Sequence, residues 1–112
     1  MPPEQDDLAL IRLCSSEDVA PSSVIAIDIE GFDPLAVYRL ADGTVYVTDD
    51  LCTHGAASLA DGFIEGDEIE CPLHAGRFCI RNGEPTEEPC EEPLRTYEAV
   101  ERDGAIFIRP PK

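Results

Sequence analysis

Four residues of this sequence stand in a pattern that could hold a metal: Cys52-Thr53-His54 and, after sixteen intervening residues, Cys71-Pro72-Leu73-His74. No histidine is left over, and each has a cysteine two or three places before it. Both pairs sit in Gly- or Pro-bearing segments, His54-Gly55-Ala56-Ala57 and Cys71-Pro72-Leu73-His74-Ala75-Gly76. Such loops can curl around an ion and aim backbone N–H groups at anionic sulfur. Three readings fit the residues. The pairs are unrelated, the thiols being small buried residues and the imidazoles surface ones. Or the four form a structural Cys₂His₂ zinc site. Or they hold a two-iron two-sulfur cluster, with both cysteines on one iron and both histidines on the other. Zinc spacing usually pairs like with like, and C-x-H is tight for a zinc knuckle. Mixed loops suit the cluster better, because each then sends one ligand to each iron.

The elements that must position these loops read as short strands. Leu8–Cys14 is a first apolar run, and Val24–Ile29 alternates as a half-buried strand does. Leu35–Leu40 and Val45–Thr48 flank Ala41-Asp42-Gly43-Thr44, a hairpin signal. Thr96–Glu101 and Ile106–Arg109 flank Arg102-Asp103-Gly104-Ala105, a second one. Asp61-Gly62, Glu65-Gly66-Asp67 and Asn82-Gly83 are candidate turns between them. No stretch sustains a 3.6-residue period, and ten prolines with eight glycines leave little room for a long helix. The expected fold is all-β: a small antiparallel barrel or sandwich base with an inserted hairpin-rich unit. We expect one domain over 1–112, with the insert at about 50–82 and the base formed by 1–49 and 83–112. A Pro- and Glu-rich stretch, Glu84–Pro93, returns the chain to the base.

Composition narrows the partners. Among 112 residues, 24 Asp and Glu against 8 Lys and Arg give a net charge of −16. Nucleic acid is excluded as a main partner, because binding phosphates needs a basic face. An anionic membrane surface is disfavoured for the same reason. Five cysteines, an odd number, exclude a fully paired disulfide framework. The start, MPPEQDDLAL, has neither a basic region nor the apolar run of a signal peptide, and no apolar stretch is long enough to span a bilayer. The expectation is a reducing cytoplasm, where cysteines serve as metal ligands more often than as staples.

The two boxes, with CTHGAASLADGFIEGDEIECPLH and GRFCIRNGE around them, resemble the Rieske family, and in particular the soluble Rieske ferredoxins of bacterial ring-hydroxylating dioxygenase systems. The resemblance covers most of the chain and implies one Rieske-type [2Fe–2S] cluster. Cys52 and Cys71 would hold the buried iron through thiolates. His54 and His74 would hold the outer iron through Nδ1, leaving their Nε2 edges as a short path to a docked partner. Neutral imidazoles in place of two thiolates leave the oxidised centre neutral, so an electron is accepted more readily than by a four-cysteine cluster. The resemblance further implies a one-electron carrier that is not itself an enzyme, fed by a flavoprotein NAD(P)H ferredoxin reductase and delivering to a terminal oxygenase. It would act as a monomer. No GxGxxG marks a nucleotide site, and no further histidines remain for a mononuclear iron. The alternatives are a Rieske-type small subunit of nitrite reductase and a redox-sensing Rieske module.

Departures from high-potential Rieske proteins set an expectation for the potential. Those proteins carry a disulfide-forming cysteine in each box, where this chain resembles them with Ala57 and Leu73. They also place hydroxyls near the cluster at positions matched here by Gly76 and Phe78. Fewer donors leave the reduced charge unscreened, so the midpoint should lie low, on the order of −150 mV. A potentiometric titration giving a positive midpoint would contradict this. Cys14, Cys79 and Cys90 are left as bystanders. Two acidic runs adjoin the boxes: Asp61, Glu65, Asp67, Glu68 and Glu70, then Glu84, Glu87, Glu88, Glu91 and Glu92. They are either a solvated face or a docking surface for basic partners.

Overall fold

Turn chemistry sets the register of this chain. A computed structural model describes residues 10–53, 57–73, 76–88 and 92–110. Its strands, in chain order, are β1 (Ile11–Ser15), β2 (Ser23–Ile27), β3 (Leu35–Arg39), β4 (Val45–Asp49), β5 (Phe63–Glu65), β6 (Glu68–Glu70), β7 (Arg77–Cys79), β8 (Pro85–Glu87), β9 (Thr96–Tyr97), β10 (Ala99–Arg102) and β11 (Ala105–Ile108). Asp103 and Gly104 join β10 to β11 with φ of 52° and 76°, the left-handed pair that a type I′ turn demands. Gly66, at φ 62°, opens the two-residue turn between β5 and β6.

Three antiparallel sheets result among the described residues, ordered β1-β11-β10, β2-β3-β4-β9 and β5-β6-β7-β8. The second is the middle layer, and β3 shows why. Leu35, Ala36, Val37 and Tyr38 are all fully buried, as only a strand covered on both faces can be. Leu35 and Val37 pack with Val47, Ile106 and Ile108 in one core. Ala36 and Tyr38 pack with Leu59, Ile69, Phe78 and Ile80 in the other. The middle sheet therefore carries the three-stranded sheet on one face and the inserted sheet on its opposite face. Each fully buried aliphatic or aromatic side chain contributes about 1.5–3 kcal/mol. The buried hydroxyls of Thr48 and Tyr38 are satisfied. Thr48 Oγ1 donates to the Asp49 carbonyl (2.7 Å) and meets the Tyr38 hydroxyl at 2.8 Å, and burial pushes the Tyr38 phenol well up.

The all-β architecture with an inserted sheet is as expected, and two details differ. Thr96–Glu101 is not one strand. It breaks at Glu98, where the carbonyl accepts the Arg109 N–H (3.0 Å), so β9 pairs with β4 while β10 pairs with β11. The chain thereby switches sheets within three residues. The first strand begins at Ile11, and Leu8 and Ala9 lie outside the described residues. Asp61-Gly62 is a turn as expected, closing the 3-10 turn Leu59–Asp61. No helix among the described residues is long and apolar enough to cross a membrane.

Candidate metal centre

Cys52 and Cys71 occupy equivalent positions in two loops of the same construction. Cys52 N–H donates to the Ala57 carbonyl at 2.9 Å, and Cys71 N–H donates to the Gly76 carbonyl at 2.8 Å. Four residues lie inside each closure. One step outward, Leu51 bridges Ser58 and Glu70 pairs with Arg77. Each loop thus begins with a thiol at its first turn-closing residue. The matching frames could not be read from the sequence, because the histidines sit at different offsets, two after Cys52 and three after Cys71.

Both thiols are nearly buried, at 3% and 1% exposure, and both belong to the core shared by the middle and inserted sheets. Neither is in a disulfide, and nor are Cys14 and Cys79. His54 and His74, with Gly55, Ala56 and Ala75, lie outside the described residues, and so does Cys90. Among the described residues no three His, Cys, Asp or Glu are grouped to hold a metal ion, so the centre is traced from the cysteine side. The donor set fits a [2Fe–2S] cluster: two soft thiols delivered to one core by two matched loops. Of the positions that resemble those of high-potential proteins, Ala57 is buried, Leu73 is 63% exposed, and Phe78 is fully buried in the cysteine core. No disulfide can link Ala57 and Leu73.

Charged side chains brace this unit in a way composition did not reveal. Arg77, directly after the second loop, donates to Glu65 (2.7 Å), Glu70 (3.0 Å) and Glu68 (3.4 Å). Those carboxylates, Glu65 first, hold its guanidinium more firmly protonated than usual. Arg81 donates to Asp67 (3.3 Å) and to the Tyr46 hydroxyl (2.7 Å), joining the insert to β4. Four of the five acids in the first run are therefore engaged internally. The second run touches the first loop directly, since Thr53 Oγ1 donates to the Glu92 carbonyl (2.7 Å).

The Rieske [2Fe-2S] domain family matches residues 9–98, which is most of the chain and spans both loops. The chain belongs to the Rieske [2Fe-2S] family. Its Rieske domain is 40% identical over 98 residues to ferredoxin CarAc of Metapseudomonas resinovorans, covering 88% of this chain and 91% of that one. It is similar to the solved ferredoxin of Sphingomonas yanoikuyae B1, with a TM-score of 0.86, 43% identity and coverage of 91% and 99%. It is also similar, at TM-score 0.83, 39% identity and coverage of 90% and 93%, to a chain in the complex of reduced oxygenase and oxidised ferredoxin of carbazole 1,9a-dioxygenase. This Rieske protein is accordingly a ferredoxin with a Rieske-type [2Fe–2S] cluster: an electron carrier and not itself a catalyst.

Proposed function

We propose that Cys52, Cys71, His54 and His74 hold the cluster, the thiolates on the inner iron and the imidazoles on the outer one. The matched loops support this, since they deliver both cysteines to one core in the same backbone frame. When bound, the cluster supplies a centre that takes up and releases one electron. The surrounding chain excludes water from the thiolates, through Leu59, Ile69 and Phe78, and holds the loops on strands. We assign residues of about 50–82 to the cluster-binding unit, with β8 completing their sheet, and the remainder to the base, all within a single domain.

The ferredoxin works between a flavoprotein NAD(P)H reductase and a terminal ring-hydroxylating oxygenase, as a cytoplasmic monomer. The observation that carries the oxygenase assignment is the likeness to a ferredoxin seen in complex with its oxygenase. Reductase-coupled oxygenase turnover tests it. Addition of the ferredoxin should restore product formation, whereas a redox sensor would leave it absent.

The charge distribution sharpens the docking surface. Arg77 and Arg81 tie down Glu65, Asp67, Glu68 and Glu70, whereas Glu84, Glu87, Glu88 and Glu92 make no ion pair among the described residues. Glu84, Glu87, Glu88 and Glu92 then form the surface that meets a basic partner. Its field is screened over about 8 Å at physiological salt. The second-order electron-transfer rate should fall steeply from low to high ionic strength. Reversing Glu87 and Glu88 to Lys should flatten that dependence more than reversing Glu65 and Glu68. Stopped-flow reduction at several salt concentrations distinguishes the two, and a rate flat with salt would reduce the acids to a solvated face.

A further inference from the structure

The two loops differ one step beneath their closing hydrogen bonds. Under the second loop, Ile69 on β6 faces Phe78 on β7, and both are wholly buried. Under the first, the equivalent residues are Asp50 and Leu59, linked by the Leu59 N–H to the Asp50 carbonyl at 2.7 Å. Leu59 is as buried as Phe78, and Asp50 is only 4% exposed. A carboxylate thus stands where the second loop has an isoleucine. A buried carboxylate is costly unless hydrogen-bonded, so its partners carry its purpose.

Those partners all lie on the returning arm of the first loop. Asp50 Oδ1 accepts the Ala60 N–H at 3.0 Å, and Oδ2 accepts the Ser58 hydroxyl at 2.5 Å. The Asp50 N–H is itself anchored on the Pro34 carbonyl at 2.9 Å. Ser58 occupies the cap position of the 3-10 turn Leu59–Asp61 but makes no side-chain cap of its own, so Asp50 satisfies the free N–H in its place. The second loop needs no such device, because it runs from strand to strand. The first leaves β4 and returns into a 3-10 turn, with the Leu51–Ser58 bridge its only sheet pairing among the described residues.

We propose that Asp50 is a positioning residue whose carboxylate replaces the missing strand ladder and fixes the loop that carries Cys52 and His54. The proposal rests on the assignment of those two residues as cluster ligands. Asp50→Asn keeps an acceptor for Ala60 and a donor for Ser58, so it is the rescuing change. Asp50→Ile copies the second loop and keeps the burial, but it removes both hydrogen bonds.

Amide hydrogen exchange and pulsed electron paramagnetic resonance of the reduced full-length protein, labelled with ¹⁵N-histidine, test the proposal together. In Asp50→Ile the Ala60 amide should exchange at least about tenfold faster, the equivalent of one charge-assisted hydrogen bond. One histidine nitrogen coupling should shift with it, and Asp50→Asn should restore both. Ser58→Ala, which removes one bond at a partly exposed site, should move the same two signals less, and it serves if Asp50→Ile does not fold. Unchanged Ala60 protection and unchanged couplings in Asp50→Ile, or in Ser58→Ala if that variant stands in, would overturn the proposal. Failure of the ligand assignment looks different, because the wild type itself would then show no histidine coupling.

Discussion

Replacing Cys71 with serine should yield a colourless protein whose iron and inorganic sulfide fall from two of each per chain to near zero. A serine hydroxyl is not ionised at neutral pH and is a poor ligand for iron, so the loss is of the group itself. The substitution is nearly isosteric at a site 1% exposed, and burying the new hydroxyl costs on the order of 1–3 kcal/mol. That penalty would by itself produce some loss of cluster through unfolding, so a control is needed. Cys14→Ser provides it. Cys14 is equally a free buried thiol, in the other core, where burial pushes its pKa up. Cys14→Ser should carry a similar stability cost and keep its full iron content. Equal loss in both variants would mean that Cys71 matters only as a core residue. Because cluster binding is also folding free energy, apo protein should melt below the holo form.

A large effect on stability away from the ligands is expected at Gly83. Its φ is +78°, a region where an L side chain costs about 1–2 kcal/mol. A Cβ there would stand 2.5 Å from the Leu94 carbonyl oxygen and 2.9 Å from Thr96 Cγ2. The backbone cannot yield, because Gly83 N–H donates to the Cys79 carbonyl (2.7 Å) and the Leu94 N–H donates to the Gly83 carbonyl (2.8 Å). The first bond closes the turn between β7 and β8, and the second ties that turn to the segment leading into β9. Overpacking adds roughly 1–3 kcal/mol, so Gly83→Ala should destabilise by about 2–5 kcal/mol in total. Gly66 also has positive φ, 62°, but a Cβ there meets nothing within 4 Å. Gly66→Ala should therefore cost only the conformational share, about 1–2 kcal/mol. Urea unfolding of the two variants isolates the close approach. Equal costs would show that the insert is not clamped at Gly83.

Much of this was legible in the chain. The hairpins around Asp42-Gly43 and Asp103-Gly104 announced themselves because only certain residues tolerate their backbone angles. The mixed Cys–His boxes announced their chemistry because few centres take both ligand types from each of two loops. What stayed hidden was set by tertiary contact. Glu98 reads as the middle of a strand, and nothing local shows that its neighbours belong to different sheets. Val24 and Ile25 alternate like a half-exposed strand, yet both pack, because the middle sheet is covered on both faces. Glu65, Glu68 and Glu70 read as a free acidic run, and only the β6–β7 register brings Arg77 among them. Asp50 carried no signal at all. A lone aspartate before Leu51 is ordinary until the fold buries it.

The central claim is that two imidazoles share the cluster with two thiolates. With only two histidines in the chain, ¹⁵N-histidine labelling reports on His54 and His74 alone. Pulsed electron paramagnetic resonance of the reduced, labelled protein should show two strongly coupled nitrogens whose frequencies follow the isotope. A spectrum with no histidine nitrogen coupling would contradict the account.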